Sequence, residues 1–120
     1  MSFDPAAALV AYHKVLDGHD IKAVRSWFAE NVAYTSAGLG TVQGREKVLA
    51  AIEKYFAVSP DHQAWDDKVR AISERVAACE WHLRATNKTT GAVVERHGLE
   101  TIIFDDQGKI KSVVVVDRTV

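Results

Sequence analysis

Disulfide chemistry has almost nothing to work with in this chain, which holds a single cysteine, Cys79, inside an apolar run. A cross-linked secreted scaffold is excluded, and a reducing compartment, the cytoplasm, is the expected location. Long apolar runs are also missing: nothing approaches 18 consecutive apolar residues, so no membrane-spanning helix is expected. The opening "MSFDPAAALVAYHK" lacks a basic region followed by an apolar run and a cleavage site, so no secretory signal is read there. Charge of one sign is lacking too. The 15 Lys and Arg face 16 acidic residues and are scattered singly, without the basic stripe of a nucleic-acid binder. The five histidines show neither His-x-His nor His-x-x-x-His spacing, and no metal site is expected. The glycines of "GLGTVQG" miss the dinucleotide-binding spacing, so no cofactor is expected either.

What remains is an ordinary globular composition, 48% apolar and 26% charged, in 120 residues. That is the length of one domain, residues 1–120, able to bury roughly two-thirds of its unfolded surface. Asp4-Pro5 reads as a helix start, with Leu9, Tyr12, Val15 and Leu16 at helical spacing and Gly18 as the stop. Asp20 caps a short second helix with Ile21, Val24, Trp27 and Phe28 on its inner side. A strand over Val32 to Gly38 leads into a glycine-containing loop, and a third helix runs from Gly44 to near Ser59-Pro60. Four strands then follow, separated by the short turns "SER", "NKTTG" and "DDQG". Helices first and a meander after them predict an α+β fold with a mainly antiparallel sheet.

The last strand carries a second message. Side chains alternate along a strand, so Val113 to Val116 place two valines on each face. Helices can cover only one of those faces. The other is most simply covered by the same sheet of a second copy, since each buried valine is worth on the order of 1.5–3 kcal/mol. A homodimer packed sheet to sheet is therefore expected; a sheet curled until its own loops cover that face would meet the same need.

The order helix–helix–strand–helix–meander is carried by "AYHKVLDGHDIKAVRSWFAENVAYTSAG", "GREKVLAAIEKYF", "VRAIS" and "IIFDDQGKI". It resembles the nuclear transport factor 2-like superfamily. Within that group it resembles the SnoaL-like branch of polyketide cyclases, ketosteroid isomerases and limonene epoxide hydrolases. The resemblance implies a cystatin-like cone, in which a curved, mainly antiparallel sheet wraps around an apolar cavity closed by three N-terminal helices. It also implies that the convex face of the sheet forms a dimer. Tyr12 falls where the isomerase places its oxyanion-binding tyrosine, and Glu100 where it places a protonated carboxylic acid. The position of the isomerase's aspartate base is Ser36, which cannot act as that base at neutral pH. Tyr34 and Ser36 keep the Tyr-x-polar spacing with which the epoxide hydrolase holds a water. Its Asp-Arg-Asp positions are Trp81, Leu83 and Val115 here. Likeness to the cyclases rests on Asp117 as an acid–base carboxylate near the end of the last strand.

The expected catalytic set is thus Asp117, Glu100 and Tyr12, and the expected ligand-binding set is Tyr34, Ser36, Trp81, Val115 and Trp65. Each has a plainer reading. Asp117 either shares the cavity face of Val113 and Val115 or pairs at the rim with Arg118 or a lysine. Glu100 either points inward, with Tyr12 or Arg96 as partner, or is turned outward by a bulge at Gly98. Apolarity puts Trp81 inward, whereas a gapless match to the isomerase would put His82 there. The expected function is a SnoaL-like enzyme using carboxylate acid–base chemistry on an apolar, cyclic or carbonyl-bearing small molecule, as isomerase, cyclase or hydrolase. The alternative is a ligand-binding or accessory dimer that keeps the pocket without the chemistry.

Overall fold

Helix α1, Pro5–Asp17, begins where the Asp4-Pro5 pair predicts, in a computed structural model that describes residues 3–37 and 39–118. The Asp4 carboxylate accepts the Ala7 N–H at 3.1 Å, which satisfies one of the backbone donors a helix start leaves open. Asp20 does the same for α2, Ile21–Arg25, accepting from Lys22 and Ala23. Helix α3, Arg45–Val58, buries Val48, Leu49, Ile52 and Phe56, a face at i, i+1, i+4 and i+8.

Six strands form one sheet: β1 (Phe28–Ser36), β2 (Gly40–Gln43), β3 (Gln63–Ser73), β4 (Val76–Thr86), β5 (Val93–Phe104) and β6 (Ile110–Asp117). Their order is β2-β1-β6-β5-β4-β3, antiparallel throughout except for the parallel pair β1–β6. Register shifts between Asp67 and Arg70 in β3, and between Ile103 and Phe104 in β5, mark the irregularities that bend such a sheet. The result is an α+β cone: a curved sheet with three helices against its concave side. Leu9, Tyr12, Val24, Phe28, Ile102 and Val113 are among the fully buried side chains between them.

Two local expectations are corrected. The periodicity predicts Trp27 and Phe28 on the inner face of α2, yet that helix ends at Arg25 and Phe28 opens β1, opposite Ile110. Five residues are too few to hold a helix by their own hydrogen bonds, and the sheet claims the next large apolar residue. The loop expected after the first strand instead contains β2, which pairs Gly40–Gln43 with Ala33–Ser36 as a hairpin. Gly38, the expected end of the first strand, lies outside the described residues.

The four valines divide between the faces. Val113 is fully buried and Val115 faces the cavity, while Val114 and Val116 stand 39% and 54% exposed on the opposite, convex side.

Candidate functional site

Between helices and sheet lies a cavity of about 140 Å³, open to solvent on one side. An engineered void of about 150 Å³ accepts a benzene ring, so this space suits a ring-sized apolar body. Leu16 and Phe56 from the helices, with Leu39, Leu83 and Val115, give it apolar walls.

Its polar centre is assembled from three elements. His13 sits one turn beyond Leu9 on α1 and faces the sheet with it. Its Nδ1–H donates to Asp66 Oδ2 on β3 at 2.5 Å, and its Nε2–H donates to Glu100 Oε1 on β5 at 2.5 Å. The three side chains are 13%, 18% and 6% exposed, so water screens them little. Burial alone would lower the His13 pKa. The charge of Glu100 and the hydrogen bonds from Asp66 and Glu100 outweigh it and raise the value to about 10. His13 is therefore an imidazolium at neutral pH, held between two carboxylates.

Cys79 completes the cluster, its Sγ 3.8 Å from Asp66 Oδ1 and 3.9 Å from Glu100 Oε1. Burial pushes the thiol pKa up, and the two carboxylates push it further, so the sulfur keeps its proton. His13, Asp66 and Cys79 are close enough to be considered as metal ligands. Both imidazole nitrogens are already committed to carboxylates and the sulfur is protonated, which describes an ion network better than a metal cradle.

The expected site residues distribute as follows. Glu100 points inward and is 4% exposed, with His13 rather than Tyr12 or Arg96 as its partner. Tyr12 is wholly buried in the core and is not among the residues lining the cavity, and among the described residues its hydroxyl has no hydrogen-bond partner. Tyr34 and Ser36 line the cavity, the serine Oγ accepting the Leu39 N–H at 3.1 Å. Burial, reinforced by the Glu100 charge, raises the Tyr34 pKa, so its phenol stays a neutral donor. Trp81 lies in the wall and packs over Gly98, where a Cβ would meet the Val116 carbonyl oxygen at 1.9 Å and the indole ring at 2.9 Å. Glycine is thus required at that contact. Asp117 grips Arg96, which is the residue that reaches the cavity.

Trp65, expected at the ligand, is 55% exposed on the convex side, stacked on His82 with centroids 5.4 Å apart. The alternation that turns Trp65 outward turns Asp66 inward. Reading Trp65 as cavity lining is what hides Asp66 from a sequence argument, and His13 is hidden because its partners lie on distant strands.

Also in the lining, Tyr55 Oη lies 2.8 Å from His62 Nδ1. Burial, aided by the nearby His19, lowers the His62 pKa to about 4, so this second histidine is neutral.

Residues 9–113 match the SnoaL-like domain. The chain belongs to the SnoaL-like family. Among curated proteins, none matches it in sequence. Solved structures share the fold. A Mycobacterium tuberculosis protein in complex with estradiol-17β-hemisuccinate is 18% identical, with 94% of this chain and 93% of that one covered and a TM-score of 0.81. A Delta 5-3-ketosteroid isomerase from Mycobacterium sp. is 16% identical, with coverages of 93% and 91% and a TM-score of 0.80. The epoxide hydrolase/cyclase-like enzyme SalBIII, of pyran ring formation in salinomycin, is 18% identical, with coverages of 94% and 89% and a TM-score of 0.75.

Proposed function

We propose that this SnoaL-like protein is an enzyme that moves protons on a small apolar molecule with a ring and a carbonyl or similar oxygen. The observation that carries the reading is His13 bridging Asp66 and Glu100 at the wall of a largely apolar cavity. Placing three ionisable groups in a dry site is costly unless they are paired and put to use, and such clusters concentrate where proton transfer occurs. Glu100 is the carboxylate base facing the substrate. The His13 imidazolium holds the Glu100 carboxylate ionised and oriented through the Nε2–H bond, and the proton that Glu100 takes from one substrate carbon is returned by Glu100 to the substrate. Asp66 positions the ring of His13. Tyr34, kept neutral, donates a hydrogen bond to the substrate oxygen. The isomerase and SalBIII as structural neighbours support chemistry of this kind, and the neighbour holding estradiol-17β-hemisuccinate supports an apolar ligand. Ser36 at the isomerase's base position moves the role of base to Glu100.

The test is deuterium uptake at the α-carbon of cyclic ketones in D2O, followed by NMR. The protein should accelerate exchange, and Glu100→Gln should reduce that acceleration by about 10²–10⁴-fold, the usual share of a general base. Exchange no faster than buffer across a panel of cyclohexanones, enones and tetralones would leave the second reading, a ligand-binding accessory protein.

We also infer a homodimer through the convex face, where Val114 and Val116 stand exposed on β6 and Trp65 stands exposed on β3, three strands away. Val116→Asp should convert dimer to monomer in sedimentation velocity, and a parent protein that sediments as a monomer at micromolar concentration would sink this inference. A cytoplasmic setting fits the one protonated, buried thiol.

A further inference from the structure

Arg96, Gly98 and Glu100 share the concave face of β5, because alternate residues of a strand point the same way. Four residues set the Cα atoms of Arg96 and Glu100 ~13 Å apart. Gly98 contributes no side chain between them, and the Trp81 ring lies over it as an apolar floor. The cavity is therefore bipolar along one strand, with the carboxylate–imidazolium group at one end and a guanidinium at the other.

The guanidinium is already fixed. Its Nε donates to Asp117 Oδ2 at 2.6 Å and its Nη2 to Asp117 Oδ1 at 2.8 Å. These two bonds occupy one edge of a rigid, planar fork that carries five N–H donors. The end-on edge, made by Nη1 and the second hydrogen of Nη2, has no acceptor among the described residues. A second unpaired donor belongs to Trp81, the residue whose ring the guanidinium stands over. The guanidinium carbon is 5.9 Å from the Trp81 ring centroid, and the Trp81 Nε1–H is buried with no partner among the described residues. An indole N–H left unpaired in a residue only 6% exposed is a cost that a ligand acceptor would remove.

We propose that the substrate carries a carboxylate, which docks on the open edge of Arg96 with the Trp81 N–H as a neighbouring donor. The reacting end of the same molecule reaches Glu100; this rests on reading the cavity as the active site. The ligand class is an apolar ring acid with a short arm. Asp117 acts as a positioning residue: it holds the guanidinium in one rotamer, so little side-chain freedom is lost when the ligand arrives. Arg96 and Asp117 together are neutral, so the incoming carboxylate brings one net negative charge. The repulsion from Asp66 and Glu100 is reduced by the ~13 Å along the strand and by His13, which offsets one of those two charges.

Isothermal titration of the intact protein with 3-phenylpropionate and with 3-phenylpropionamide decides the matter. The carboxylate should bind about tenfold or more tighter, the gain from charge-assisted bonds to a fixed guanidinium. Arg96→Gln should erase that preference while the amide still binds, and Arg96→Lys should restore part of it as a point charge without the fork. Equal affinities in the parent, binding of neither compound at millimolar concentration, or a preference that persists in Arg96→Gln would each overturn the proposal. If Arg96→Gln fails to fold, the ratio in the parent alone decides. Deuterium exchange without a carboxylate preference would sink this inference and keep the enzyme, whereas a preference without exchange would do the reverse.

Discussion

Two histidines look into the same cavity and hold their protons in opposite ways. His13 is raised to about 10 and His62 is lowered to about 4. Burial pushes both downward, so burial cannot be what separates them. His13 meets Asp66 and Glu100 at its two nitrogens, whereas His62 meets a phenol, Tyr55, and has another histidine nearby. The identity of the partner, not the depth of the site, decides which ring carries charge. His13 thereby belongs to an ionic cluster poised for proton transfer, whereas His62 and Tyr55 form a neutral hydrogen-bonded pair.

The sharpest way to break this contrast is His13→Gln, which leaves two buried carboxylates without a counter-charge. It should cost about 3–5 kcal/mol of stability at pH 7 by denaturant unfolding. His13 has a folded pKa above its unfolded value of 6.5, so its contribution is complete below about pH 6.5 and is lost as pH rises through about 10. The gap between parent and variant should therefore narrow from pH 7 to above pH 10, and a constant gap would contradict the assignment of the charge. Next in size, Asp66→Asn should cost about 1–3 kcal/mol. It should also bring the His13 pKa down, which an NMR titration of its ring protons would register, while Glu100 keeps it above 6.5. The smallest effect belongs to His62. The folded pKa of His62 is depressed, so its unfolded form binds more protons between about 4 and 6.5, and the parent loses stability as pH falls through that window. His62→Gln should flatten the curve there and leave the alkaline limb unchanged.

How much of this was legible in the chain differs between scaffold and site. Both capped helix starts, the stop at Gly18, the meander and the split of the four valines follow from local patterns that act within a few residues. The short edge strand at Gly40–Gln43 carries no alternation long enough to read and exists because β1 offers it a partner. Glu100 could be singled out as a carboxylate stranded in an apolar strand. His13 and Asp66 could not, since 53 positions separate them and only the cone joins them. The misleading residue was Trp65. A large aromatic argues for burial, but a sheet whose convex side is also apolar can spend it there, and that choice sets the facing of its neighbour. The exposed Val114 and Val116 were the available signal that both sides of this sheet want apolar company.

Gly98 has a consequence for how such a cavity can change over generations. A side chain there would strike the Val116 carbonyl oxygen and the Trp81 ring, so the middle of β5 is closed to variation. Whatever lies on either side of it can drift independently. Position 96 can be rewritten to welcome a different tail, and position 100 to run a different reaction, without either change disturbing the other. A lineage built on this strand could exchange its substrates and its chemistry on separate schedules.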